Sequence, residues 1–387
     1  MFDVKKADNE YIAGTYHRLN VVLKSGKGAR LYDENDKEYI DFGSGIAVNT
    51  FGASDPVWQK AVEEQIKKIQ HTSNYYYTEP CARLAEKLCK ISGMKKVFFS
   101  NSGAEANECA IKVARKYACE KKGEDCYKII TLINSFHGRT ITTLAATGQE
   151  VFHKYFTPFT EGFVYAEPNN EEELERIASE GNCAAVMLET IQGEAGVNNL
   201  SCEYLKAVEK ICSKYDMLLI VDEVQTGNGR TGKYFSYMHH LLKPDIVTTA
   251  KGLAGGLPIG ATLFSEKTAD VLGVSSHGST FGGNPVSCAA AVSIVDRLDD
   301  EFLKTVAEKG EYIKEKLLKF STVEEVSGAG LMIGIKTSEN AAEILEKCLE
   351  KGLLVLTAKD KVRLLPPLNI EYKDIDEGLE ILKGVME

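Results

Sequence analysis

The sequence predicts an α/β protein: a mainly parallel central sheet with helices on both faces, and a smaller α+β unit at the C-terminal end. Two observations carry this. Short uninterrupted apolar runs, clearest at 217–221 and 184–188, end abruptly in polar residues, as strands buried on both faces do. Such runs alternate with segments of helical spacing through the middle of the chain, the pattern of a parallel sheet with crossover helices. At 387 residues the chain exceeds one ordinary domain. We divide it into an N-terminal segment (1–50), a large unit (51–285) and a small C-terminal unit (286–387).

The elements justify themselves in order. Residues 1–45 hold alternating stretches broken by Gly26, Gly28 and Asn35-Asp36, which read as short antiparallel strands. A loop, GIAVNTFGASDPVW, passes into a helix at 56–69 with Pro56 in its first turn and Val57, Ala61, Val62 and Ile66 on one face. The tyrosine-rich loop HTSNYYYTEP at 71–80 would line a pocket, meet another subunit, or pack beneath itself. A helix at 80–92 places Leu84, Leu88 and Ile91 on one side.

The apolar run 97–99 enters the turn Ser100-Asn101-Ser102-Gly103-Ala104, and an alanine-rich helix continues to about Cys119. Strand, small-residue turn and helix N-terminus together suit an anion, and Gly103 lets backbone approach a phosphate. A strand at 128–133 opens into Asn134-Ser135-Phe136-His137-Gly138-Arg139. There an aromatic can stack on a flat ring, and a guanidinium can take a carboxylate in two-pronged fashion. Next come the strand 184–188, the loop Glu189 to Gly196, and a helix at 202–215.

The strand 217–221 delivers Asp222 and Glu223, and the strand 245–249 delivers Ala250-Lys251-Gly252. In open α/β sheets ligands gather outside the carboxyl ends of the strands, so this acid and this lysine share a crevice. Taken singly, each has a plain alternative, a turn cap and a surface lysine. Beyond 261–264, read as one more strand, lies the hydroxyl-rich loop 275–285, suited to phosphate. A long helical stretch at 286–320, strands at 332–335 and 353–356, and a helix at 340–351 complete the pattern.

Composition narrows the function. The net charge of −10 argues against nucleic acid, whose phosphates need a basic surface. No apolar run approaches the ~20 residues that span a bilayer, and the N-terminus shows no secretory signal, so no membrane partner is expected. The ten cysteines are scattered with no C-x-x-C pair, which fits reduced thiols and a cytoplasmic protein. The turn at Ser100–Ala104 carries no G-x-G-x-x-G, and P-loop, H-E-x-x-H and G-x-S-x-G patterns are missing from the chain, which leaves nucleotide-dependent redox, metal and serine-hydrolase readings unsupported. A lysine that forms an imine, facing a carboxylate that keeps a pyridine nitrogen protonated, is instead the chemistry of pyridoxal phosphate.

S-N-S-G-A-E-A-N-E, F-H-G-R-T, Q-G-E-A-G, V-D-E-V-Q-T-G-N-G-R-T-G, A-K-G and G-S-T-F-G-G-N-P occur in that order from about residue 100 to 285. This set resembles the class III pyridoxal-phosphate-dependent ω-aminotransferases of fold type I, and the likeness extends over nearly the whole chain. The resemblance implies that Lys251 holds the cofactor and later shuttles a proton. It implies that Asp222 pairs with the ring nitrogen, Gln225 with the ring's phenolic oxygen, and Phe136 with the ring face. Gly103 and Ala104 would hold the phosphate, with Thr280 reaching it from the partner subunit of a homodimer whose sites lie at the interface. Arg139, aided by Ser279, would bind the α-carboxylate of the amino donor. Arg363 would bind that of glutamate, and Glu194 would pair with Arg363 at other times. No metal is implied.

Within the family, G-I-A-V-N near residue 45 and S-N-x-Y-Y-x-E-P near residue 73 fit best the members that move the δ-amino group of N2-acetylornithine to 2-oxoglutarate. Ornithine, 4-aminobutyrate and succinyldiaminopimelate are the alternative donors, and a non-catalytic regulator on the same fold is the alternative of another class. Where the family often carries G-H-x-H-P, this chain reads Gly52-Ala53-Ser54-Asp55-Pro56.

Overall fold

The computed structural model describes residues 2–387. Its centre is a seven-stranded sheet in the order Lys96–Ser100, Gly260–Phe264, Ile246–Thr249, Leu218–Asp222, Cys183–Leu188, Lys128–Leu132, Phe163–Ala166. Neighbours pair in parallel except around Gly260–Phe264, which runs antiparallel to both its partners. Every residue of the Leu218–Asp222 and Cys183–Leu188 strands is buried. Alternate residues feed different sides: Leu219 and Val221 join one core cluster, Leu218 and Ile220 the other. That two-sided burial is why these strands read as unbroken apolar runs rather than alternating ones.

Helices cover both faces. Gly103–Lys122 buries Ala106, Cys109, Ala110, Val113 and Ala114 against the sheet, and Cys202–Lys214 buries Leu205, Val208 and Ile211. The C-terminal region carries an antiparallel sheet in the order Val323–Ala329, Met332–Thr337, Lys361–Leu364, Leu356–Ala358. The helices Asp300–Leu317, Ala341–Glu350 and Tyr372–Met386 belong to the same region. Buried Arg230 ties it to the large unit by donating to the carbonyls of Leu331 and Pro366. No helix among the described residues is long and apolar enough to cross a membrane.

Several local expectations need correction. The N-terminal segment opens with a helix, Val4–Tyr11, capped by Asp3, whose side chain accepts from the Lys6 amide at 3.0 Å. None of its residues is buried. The strands Leu23–Lys27, Arg30–Asp33 and Glu38–Asp41 follow as expected, and the last pairs in parallel with Leu353–Leu354 from the far end of the chain. The helix expected to reach residue 69 is Pro56–Ile66, and its apolar stripe meets the core only in part: Val62 packs against it while Val57 and Ile66 are exposed. The departure at residues 52–56 has a local use. Asp55 caps this helix, accepting from the Trp58 amide at 2.9 Å, and pairs with Arg297 at 2.7 Å. The stretch 286–320 is two helices, Pro285–Val295 and Asp300–Leu317, because Asp299 accepts from the Phe302 amide and starts a second one. The strand expected at 353–356 divides between two sheets.

Candidate active site

Asp222 is the last residue of the central Leu218–Asp222 strand, and Lys251 follows two residues after the neighbouring Ile246–Thr249 strand. Parallel register sets Asp222 opposite Thr248, so both side chains reach the same end of the sheet. Lys251 has φ +43°, a left-handed conformation that a non-glycine residue adopts only when its surroundings impose it. Both residues line one cavity of about 590 Å³.

Asp222 is 3% exposed and held by three donors. Its Oδ2 accepts from Asn107 Nδ2 at 2.7 Å and faces His137 Nδ1 at 2.8 Å, and its Oδ1 accepts from the Val224 amide at 3.0 Å. Facing a carboxylate, His137 carries its proton on Nδ1. Burial lowers Lys251 below the ordinary lysine value; Glu194 opposes that and Arg363 adds to it. The lysine is therefore biased toward the neutral amine, the nucleophilic form.

The helix Gly103–Lys122 points its N-terminus at the cavity, with Ser102, Gly103 and Ala104 in the wall. Ser102 caps it, accepting from the Glu105 amide at 3.1 Å. A Cβ on Gly103 would stand 2.7 Å from Val224 Cγ1, so only glycine leaves the turn room beside that wall. Phe136, half-buried, and Val224 supply an aromatic and an aliphatic surface of the same cavity. Arg139 lies at the exposed margin with its guanidinium 3.9 Å above the Phe152 ring. That stacking fixes the plane of the group while its edge stays available to a carboxylate.

Arg363 and Glu194 do not themselves line the cavity; they meet behind Gln225, which does. Arg363 Nη1 donates to Glu194 Oε1 at 2.8 Å, Gln225 Oε1 at 3.1 Å and the Gly193 carbonyl at 3.1 Å. Gln225 Nε2 donates to Glu194 at 3.0 Å. Burial alone would raise Glu194, but the Arg363 charge and hydrogen bond outweigh it and hold the carboxyl below its ordinary value. Gln225, expected at the ring's phenolic oxygen, thus also joins these two residues.

Two expected residues stand apart. Ser279 reaches the site through Asn101, whose Nδ2 donates to its Oγ at 3.1 Å. Thr280 is exposed and absent from the cavity wall of its own chain. Conversely, Asn107, His137, Glu189 and Val224 line the cavity without having been singled out. The signals were present: His137 adjoins Phe136, and Val224 lies between Asp222 and Gln225. A further wall residue is Tyr16, from the N-terminal segment.

This set fits pyridoxal phosphate on its own terms. It offers an amine biased to its neutral form, a braced carboxylate, two flat-ring walls, and a helix N-terminus opening at a glycine that a Cβ would block.

The aminotransferase class-III family model matches residues 11–386. An acetylornithine aminotransferase from Haemophilus ducreyi is 50% identical over 385 residues, covering 99% of this chain and 98% of that one. One from Methanocaldococcus jannaschii is 45% identical, covering 98% and 96%. Among solved structures, ornithine aminotransferase from Toxoplasma gondii superposes with a TM-score of 0.94 at 32% identity, covering 99% of this chain and 94% of that one. N-acetylornithine aminotransferase from Stenotrophomonas maltophilia gives 0.86 at 38% identity, covering 98% and 97%.

Proposed function

The chain belongs to the class III aminotransferases, which use pyridoxal phosphate, and from that premise we propose that it moves the δ-amino group of N2-acetyl-L-ornithine to 2-oxoglutarate. The products are N-acetyl-L-glutamate 5-semialdehyde and L-glutamate, a step of arginine biosynthesis. The observation that carries the reading is the Glu194–Arg363 pair behind the cavity. One site must accept the α-carboxylate beside the reacting amine of glutamate, then a neutral methylene at the same place in acetylornithine. An arginine left unpaired in a closed site is costly, so a carboxylate that engages and releases it lets both substrates fit.

Bound in the cavity, pyridoxal phosphate supplies an aldehyde and an electron-accepting ring on which the amino group is carried between substrates. Lys251 would hold the cofactor and, once free, take and return a proton at the substrate's reacting carbon, work suited to an amine that burial holds below the ordinary lysine value. Asp222, braced by Asn107, His137 and the Val224 amide, would present its carboxylate to the ring nitrogen. Gly103 and Ala104 would hold the phosphate through backbone amides, Phe136 would cover the ring, and Arg139 would bind the α-carboxylate of acetylornithine.

The enzyme acts as a homodimer in this account. Tyr75, Tyr76, Tyr77, Val274 and Phe281 are all exposed on the single chain, an unusual concentration of large apolar surface near Thr280. Thr280 would reach the phosphate of the partner's site. All ten cysteines are free thiols, which suits the reducing cytoplasm.

Free ornithine is the second reading, favoured by the close superposition on an ornithine aminotransferase. Turnover of N2-acetylornithine and ornithine by purified enzyme, followed through the cofactor spectrum, separates them. The proposal expects kcat/KM at least about tenfold higher for the acetylated donor; the reverse order overturns it.

A further inference from the structure

Glu189 is a buried carboxylate with no place in the roles above, yet it touches two of them. It follows directly on the Cys183–Leu188 strand, is 6% exposed and lines the cavity. Its Oε2 accepts from the Phe136 amide at 2.9 Å and its Oε1 from the Gly193 amide at 3.4 Å. Phe136 is the ring-covering residue, on the loop after the Lys128–Leu132 strand. Gly193 immediately precedes Glu194, and its carbonyl accepts from Arg363. A Cβ on Gly193 would stand 2.3 Å from Gln225 Oε1, so the backbone here is pressed against the side chain that bonds both Glu194 and Arg363.

We infer that Glu189 is a positioning residue that fastens the Phe136 loop and the Gly193–Glu194 backbone to one strand end. Exchange of substrates then swings the Glu194 side chain while its backbone stays fixed. This rests on the reading of Glu194 and Arg363 given above.

The chemistry requires a carboxylate. Burial raises its carboxyl to about 7, and once it is ionised both its oxygens accept, so two amides from different loops are held at once. Glutamine offers one oxygen and one NH2 in the same positions. Whichever way that amide turns, one backbone N–H faces another donor and loses its partner. The shorter bond, to Phe136, keeps the oxygen, and Gly193 is released.

Glu189→Gln is the test, read at about pH 8.5, where Glu189 is ionised, in the glutamate half-reaction through the absorbance of the bound cofactor. Its KM for glutamate should rise about tenfold, the loss of one charge-assisted hydrogen bond, while kcat changes far less. Cofactor retention on dialysis should match the parent. Glu189→Ala releases both loops and should lose cofactor on dialysis as well. Glu189→Asp keeps both oxygens but draws them back by a methylene, and should raise KM by less than the glutamine variant does; it also carries the test if the glutamine variant does not fold. Unchanged KM in the glutamine and aspartate variants overturns the inference. So does equal loss of kcat, KM and cofactor in the glutamine and alanine variants, which marks a role in burial alone. The glutamate half-reaction is common to every donor considered, so failure of acetylornithine as a substrate leaves this test intact.

Discussion

At the scale of single residues, the site is a set of charges that neutralise one another in turn. Arg363 has Glu194, Gln225 and the Gly193 carbonyl as partners. Removing Glu194 leaves the guanidinium without its counter-charge whenever no substrate carboxylate is present. Glu194→Ala should therefore lower the rate constant of the acetylornithine half-reaction by about tenfold or more and the glutamate half-reaction by much less. Stopped-flow absorbance of the cofactor measures both, and equal losses count against the exchange. Asp222 and Lys251 were legible in the sequence because each follows a strand-like run, the first of them wholly apolar, and because the two fall in the ordered motif set. Asn107 and His137 were not read as site residues. They acquire their role by meeting Asp222 from two other elements, and no local pattern encodes that meeting. Val224 resembles a core residue until the cavity beside it is seen.

At the scale of elements, a second buried acid holds the central loop in shape. Glu223 accepts from the Ser236 and Tyr237 amides at 2.9 and 2.7 Å and from the Thr226 hydroxyl at 2.6 Å, closing the 223–237 loop on itself. Burial raises its carboxyl to about 7, against an ordinary value of 4.5. A group whose value rises on folding adds stability below its unfolded value, and that contribution fades as pH climbs through the folded one. The parent protein should thus lose stability through Glu223 between about pH 4.5 and pH 7. Glu223→Gln gives up acceptors at every pH but never has to bury a charge. Its deficit in Tm relative to the parent should be smaller at pH 8 than at pH 6, as thermal scans will show; a deficit that grows with pH contradicts the assignment. Motif spacing located this loop but not its purpose. The turn at Ser44–Ala47 was still less legible: four successive residues, Ser44, Gly45, Ile46 and Ala47, have positive φ. Isoleucine and alanine avoid that region, and Asp41 holds the turn by accepting from the Gly43 and Ser44 amides.

At the scale of the whole molecule, the apolar runs gave a mainly parallel sheet, and the one reversed strand has a simple cause. Only residues 250–259 separate Ile246–Thr249 from Gly260–Phe264, and they contain a single short 3-10 turn instead of the helix that a parallel neighbour requires. The return of Leu353–Leu354 to the N-terminal strands lay beyond reading, since it is set by a pairing between opposite ends of the chain. The exposed tyrosines are the surface on which the proposed homodimer is tested. Tyr75→Ser combined with Tyr77→Ser should shift sedimentation toward monomer and weaken cofactor retention together, because Thr280 would then lose the neighbouring site; a variant that stays dimeric with full retention contradicts the proposed interface. The central claim is that a cofactor is bound covalently at the end of the Ile246–Thr249 strand, opposite Asp222. Borohydride reduction of the yellow enzyme followed by peptide mapping tests it most directly. The account predicts a pyridoxyl group on Lys251 and none on the Lys251→Ala variant, whereas a label on any other lysine, or protein that stays colourless with pyridoxal phosphate, would contradict it.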